Sequence, residues 1–369
     1  MRSPRSLTWN EVRARRLARS HLIERAPLEL LVEVVRAVGG IHAQVMGSAE
    51  LQLAARVEGI TQDDVREALW ERRELVKTWT LRGTLHLHPA DELPSWIAAR
   101  RAVGGDKEEQ FPEHADEVLA AIAAVLDGRA LLREELAEEV ARRVGEWARE
   151  PLSSGWGHLL GPAVAAGRLC HGPPRGTRIT FVRAVQWIGG WVDVDPAQAL
   201  VDVARRYLAT YGPARPQDFR EWFTSRYFRP AAARMLFAQM ELAEVEVEGR
   251  SAWWLSEEEP LGQVRTVRLL PEYDVYVMGF REREQLVPPA VREQVAVHGK
   301  GRYEGPAATP FLLVDGVCAG VWSRKRSARK VELTVEPARK LTKAERSGVE
   351  QEAERIGAFF RLEPKLTLA

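Results

Sequence analysis

Lys77-Thr78-Trp79-Thr80-Leu81-Arg82-Gly83-Thr84-Leu85-His86-Leu87-His88 is the stretch on which the fold turns. Apolar and polar residues alternate along it, the period of two expected of a half-buried strand. Arg82-Gly83 breaks it in the middle and supplies a turn. A hairpin over 76–88 follows. Upstream, Thr8-Trp-Asn-Glu11 reads as a capping box opening a helix that runs to about residue 22. Pro27 suits the first position of a second helix, which Gly39-Gly40 closes. Thr61 caps a third helix, to about residue 72. Helix, helix, helix, hairpin is the order of a winged helix.

The order recurs. Helices are expected over 115–126 and 131–144, with a third capped by Ser153 or Ser154 and closed by Gly167. Arg168-Leu-Cys-His171, a Gly-Pro-Pro-Arg-Gly turn and Arg178-Ile-Thr-Phe-Val182 make the second hairpin. A third unit opens at Asp195-Pro196, with helices over 197–211, 217–224 and 230–239. Its hairpin is Glu244-Val-Glu-Val-Glu248, Gly249-Arg250 and Ser251-Ala-Trp253-Trp-Leu255. Trp253 and Trp254 face opposite ways in such a strand, so one of them is exposed. After Gly262 strands dominate, over 264–270, 275–279, 311–314, 317–322 and 330–335, before a last helix over 343–359. The expected fold class is therefore α+β: three tandem winged-helix units, 1–105, 113–194 and 195–260, followed by a β-rich domain, 261–369.

At 369 residues, with 45% hydrophobic and 28% charged residues, the chain has globular proportions and room for two or three domains. No apolar run approaches the roughly 18 residues of a membrane span. The arginine-rich start lacks the apolar segment of a secretory signal. Cys170 and Cys318 form no Cys-x-x-Cys pair and imply no disulfide framework, which fits a reducing cytoplasm. Net charge is only +1, but it is unevenly spread: residues 2–25 hold seven arginines against two glutamates, and five of the seven residues 324–330 are basic. Arg13 and Arg16 in the first cluster, and Arg324, Lys325 and Arg326 in the second, are read as phosphate contacts.

A second motif lies before the first hairpin, Gly39-Gly40-Ile41-His42-Ala43-Gln44. If the chain is extended after the glycines, His42 and Gln44 point the same way and together hold one water. Alone, such a segment is ordinary loop polarity. Paired with Lys77–His88 at this spacing, it resembles the signature of the AlkZ/YcaQ family of bacterial DNA glycosylases. Two downstream stretches extend the resemblance to about residues 7–337: Leu269-Leu-Pro-Glu-Tyr273-Asp274-Val-Tyr276-Val-Met-Gly279 and Pro310-Phe-Leu-Leu-Val-Asp315-Gly316-Val-Cys-Ala-Gly320-Val-Trp322. The resemblance implies tandem winged helices, a barrel-like C-terminal domain, and excision of alkylated purines or unhooking of interstrand crosslinks.

Excision breaks the bond from C1′ to a ring nitrogen through an oxocarbenium-like transition state. A purine alkylated at N7 or N3 already carries positive charge and leaves readily. The enzyme must chiefly hold a water at C1′, which a glutamine carboxamide does by accepting a hydrogen bond from it. The family motif is Gln, a hydrophobic residue, then Gln or Asp. Gln44 matches the second polar position, and His42 stands where the pattern has Gln. His42 leaves three outcomes open: a base for the water's proton, a different lesion, or lost catalysis. Arg82 and Thr84 match the Arg-Gly-Thr region, and the resemblance assigns them phosphate contact or support of residues 42–44.

Other chemistries fail on context. His42, His86 and His88 as a zinc trio would need strand alternation to converge with a distant loop. Gly155-Trp-Gly157-His-Leu-Leu-Gly161 lacks the spacing of a dinucleotide loop and follows no strand. No cofactor and no metal are implied. The expected partner is double-stranded DNA bearing alkylated purines, met by a monomer. The competing functions are a non-catalytic winged-helix regulator and a protein that binds a genotoxin directly.

Overall fold

The computed structural model describes residues 5–104, 114–153, 160–224, 227–255, 262, 264–279, 283–298 and 306–369. The chain packs as two compact units. One comprises Met1–Val65, Ala204–Phe223 and Pro230–Ala369, the other Arg66–Val203 and Thr224–Arg229. Each draws on more than one of the four segments expected from the sequence.

In the first unit, Thr8 caps the helix Trp9–Arg19 through a reciprocal box with Glu11. Gly39 and Gly40 both take positive φ, 72° and 97°, and end the helix Leu31–Ala37 in the left-handed turn that glycine adopts without a Cβ clash. A two-residue strand, Ile41–His42, follows. The chain then enters the helix Met46–Ala54, which the sequence concealed. Val45 gives it no side-chain cap. Ser48 to Ala54 are all buried, so no amphipathic period marks it.

Two larger sheets of described residues belong to this unit. Arg5–Leu7 runs parallel to Ala243–Val247, which pairs antiparallel with Arg250–Trp254. The expected hairpin is thus present, extended by an N-terminal strand from the other end of the chain. Trp254 goes into the core and Trp253 is half-buried. The larger sheet has five strands, Val267–Leu270, Phe311–Val314, Val317–Arg326, Lys330–Pro337 and Glu363–Leu368, with only the last pair parallel. The helix Lys343–Phe360, capped by Thr342 and Glu345, joins that last pair.

One expectation is corrected here. Residues 275–279 do not form a strand. Val275–Met278 is a helical turn whose N-cap, Asp274, accepts from the N–H of Tyr276 at 2.8 Å. Val-Tyr-Val has strand propensity, but Tyr273 through Val277 are buried without a break, so the period of two is absent.

The second unit contains the hairpin Leu75–Trp79 and Leu85–Pro89, turning through Leu81–Gly83 with Arg82 and Gly83 at φ 55° and 69°. Leu131–Leu132, Arg178–Arg183 and Leu169–Arg175 form a three-stranded sheet in that order. Ile97, Ile122, Leu136, Val140, Leu169 and Phe181 fill one core with them. Ser153 is the last described residue of the helix Arg149–Ser153. Ser154 and most of the Gly155–Gly161 stretch lie outside the described residues.

Candidate active site

His42 and Gln44 are brought close by the chain but divided by environment. The strand ends at His42, and the turn into Met46–Ala54 begins at once. The alternation that would align the two side chains therefore does not extend to Gln44. His42 is 4% exposed, whereas Gln44 is exposed to solvent. The imidazole lies against the ring of Tyr273, centroids 5.2 Å apart and planes tilted by 38°.

A buried polar network holds this segment. The Gln52 amide donates to the carbonyl of His42 at 3.0 Å and accepts from the N–H of Val275 at 3.2 Å. One carboxamide thus joins the His42 strand to the Asp274 turn, and its donor and acceptor ends are assigned by their partners. Arg56, one turn beyond Gln52, grips Asp274 with both terminal nitrogens, at 2.8 and 2.6 Å, and also donates to the carbonyl of Gln52 at 2.9 Å. Both members of the pair are fully buried. Such a pair is tolerated in a core only where the geometry is good and the remaining hydrogen-bonding capacity is used. Asp274 meets that condition by also capping Tyr276. Ser48 donates to the carbonyl of Glu272, from the same helix to the same turn.

Tyr273 has φ +60°, an arrangement that costs a bulky residue about 1–3 kcal/mol and survives where its surroundings impose it. Its N–H donates to the carbonyl of Ala307 at 2.6 Å. Neither Tyr273 nor Gln52 stands out as a functional residue in the sequence. Tyr273 lies within a family-like stretch, but its position beside His42 arises from long-range packing.

The basic residues divide as well. Arg16 is 5% exposed, and its guanidinium donates to the carbonyl of Pro213 at 2.9 Å. The group the sequence offered to a phosphate is engaged by backbone. Arg13 is half-buried, bound to Asn10 and to the carbonyl of Gln285. In the strand Val317–Arg326, alternation places Arg324 and Arg326 on one face and Lys325 on the other, so the three do not form one patch. Arg324 makes a two-pronged pair with Glu272 at 3.1 and 3.2 Å. Lys325 and Arg326 are exposed.

In the second unit, Arg82 sits half-buried at the hairpin turn, and Thr84 donates to the carbonyl of Leu81 at 3.0 Å. His88 hydrogen-bonds Thr80 at 2.8 Å and lies on Trp96. His86 bonds the carbonyl of Thr84 at 3.0 Å. Both histidines are occupied in shaping the hairpin. Cys170 and Cys318 are buried, and burial pushes the Cys318 thiol up to about 12, so neither presents a ready thiolate. Among the described residues no helix is long and apolar enough to cross a membrane.

Residues 35–359 match the family described as DNA glycosylase AlkZ-like. The chain is similar to the interstrand DNA cross-link repair glycosylase of Streptomyces sahachiroi, 32% identical over 331 residues, which cover 85% of this chain and 87% of that one. It is also similar to the solved structure of the Streptomyces sahachiroi DNA glycosylase AlkZ. That match has a TM-score of 0.85 at 29% identity and covers 99% of this chain and 100% of the other. With the histidine–glutamine segment seated as described and a family match over most of its length, the chain belongs to the AlkZ-like DNA glycosylases.

Proposed function

We propose that this glycosylase hydrolyses the N-glycosidic bond of purines alkylated at N7 or N3, including bulky adducts and interstrand crosslinks. The observation that carries the reading is the pairing of an exposed Gln44 with a buried, ring-backed His42 two residues before it. A cationic base leaves without protonation, so a water oriented at C1′ suffices. Gln44 accepts a hydrogen bond from that water. His42, where the family has glutamine, supplies a basic nitrogen that takes its proton. The similarity to a crosslink-repair glycosylase extends the lesion class to crosslinks.

The helix-rich segments ending in the hairpins at Leu75–Pro89, Leu169–Arg183 and Ala243–Trp254 are read as three winged helices that bind duplex DNA. Arg82, Thr84, Lys325 and Arg326 contribute phosphate contacts. The protein acts as a cytoplasmic monomer. The direct test incubates purified protein with duplex DNA methylated at guanine N7 and with a nitrogen-mustard crosslinked duplex, and measures released base by mass spectrometry. Release from both is expected. No release from either would overturn the reading.

A further inference from the structure

Tyr273 adopts a backbone conformation that aromatic residues avoid, and the result is a ring 5.2 Å from the His42 imidazole. Forces from both sides hold it there. Its own N–H is bound by Ala307, and the next two residues are bound from the segment after His42, Asp274 by Arg56 just past the end of the helix and Val275 by Gln52 within it. The other end of the Gln52 amide binds the carbonyl of His42. A single side chain therefore ties down the backbone on both sides of the ring contact. A turn needing only a left-handed residue is most easily made with glycine or asparagine. A tyrosine here, 7% exposed with its ring on the imidazole, has a use beyond making the turn.

We propose that Tyr273 and Gln52 are positioning residues of the glycosylase site: Tyr273 seats the face of the His42 imidazole, and Gln52 sets the spacing between the His42 strand and the Tyr273 turn. Neither touches the reacting atoms. The inference rests on the reading of His42 and Gln44 as the catalytic pair. It gives the Pro271-Glu-Tyr-Asp274 stretch a task in catalysis, by holding the imidazole in one rotamer. Misplacement of a catalytic group by about an ångström commonly costs on the order of a hundredfold in rate.

The test measures single-turnover release of N7-methylguanine from duplex DNA, with affinity for the same duplex measured by fluorescence anisotropy and the melting temperature of each variant recorded. Tyr273→Leu and Gln52→Leu should slow release by roughly ten- to a hundredfold while affinity changes less than about threefold. Tyr273→Phe keeps the ring and should stay within about threefold of the unaltered protein. Because Tyr273 acts through His42, Tyr273→Leu should cost under about threefold when added to His42→Gln. Unchanged rates for Tyr273→Leu would overturn the proposal. So would losses that multiply fully with His42→Gln, or a Tyr273→Phe variant as slow as Tyr273→Leu. If Tyr273→Leu does not fold, Tyr273→Met serves as the ringless variant, since its flexible side chain fills irregular space. Should His42→Ala and Gln44→Ala both leave release unchanged, the catalytic reading itself fails, whatever the Tyr273 variants do.

Discussion

Arg56 and Asp274, 218 residues apart in the chain, form a two-pronged ion pair with neither side chain exposed. The pair fastens the turn just past the helix Met46–Ala54 to the turn that carries Tyr273. It therefore supplies a physical reason for His42-Ala-Gln44 and Pro271-Glu-Tyr-Asp274 to occur in one sequence, since the first is oriented by a network that the second completes.

Breaking this pair from one side should be severe. Asp274→Ala leaves a buried guanidinium without its counter-charge and should lower stability by about 3–5 kcal/mol. The double substitution Arg56→Met with Asp274→Leu should lose less than the single one, because no charge is left buried. Urea unfolding of the three proteins checks the order. A double variant less stable than Asp274→Ala would show that the charges themselves are the main source of stability.

Gln44→Ala should cut the single-turnover excision rate on the order of a hundredfold, with affinity for lesion DNA nearly intact. If His42 takes the proton of the attacking water, the rate of the unaltered protein should fall as pH is lowered and the imidazole is protonated. His42→Gln should then flatten that profile while retaining part of the activity on cationic lesions. A pH–rate series on the three proteins decides it. Equal profiles for unaltered protein and His42→Gln would assign His42 to water positioning alone.

Lys325→Glu with Arg326→Glu should weaken duplex binding irrespective of sequence. The slope of log affinity against log salt should become shallower by about one unit for each phosphate left unneutralised. Arg324→Glu should behave differently. Its partner is Glu272, so the substitution sets two carboxylates against each other and should lower the melting temperature. Salt titrations of anisotropy, run beside thermal melts, separate the two effects.

Acid should destabilise the protein partly through His171. Burial, helped by Lys77 and Arg133, holds its pKa well below the usual 6.5. The unfolded chain therefore takes up the proton first. The stability that depends on a neutral imidazole is fully present above about pH 6.5 and is lost as pH falls below it. His171→Phe, beside Trp79 and Phe181, should reduce the fall in melting temperature between about pH 6.5 and 5. An unchanged fall would show that other groups carry the acid sensitivity.

What the sequence determined by itself is local. The Thr8–Glu11 box, the double glycine after Ala37, the Arg82-Gly83 turn, the hairpins and the Thr342-capped helix all rest on contacts within a few residues, where side-chain chemistry and periodicity are enough. The segment carrying His42 and Gln44 was legible for the same reason, through its glycines and its resemblance to a family motif. What only the tertiary structure decided depends on distant partners. Met46–Ala54 is buried almost all round, so its stability comes from packing and leaves no amphipathic trace. Val275–Met278 became a helical turn because Asp274 caps it while held by Arg56. Arg16 and Arg324 counted as surface charges until Pro213 and Glu272 were brought to them. The place of Tyr273 against His42 has no sequence signature either, because a backbone turned to φ +60° by bonds from both sides is a property of the folded neighbourhood and not of the residue.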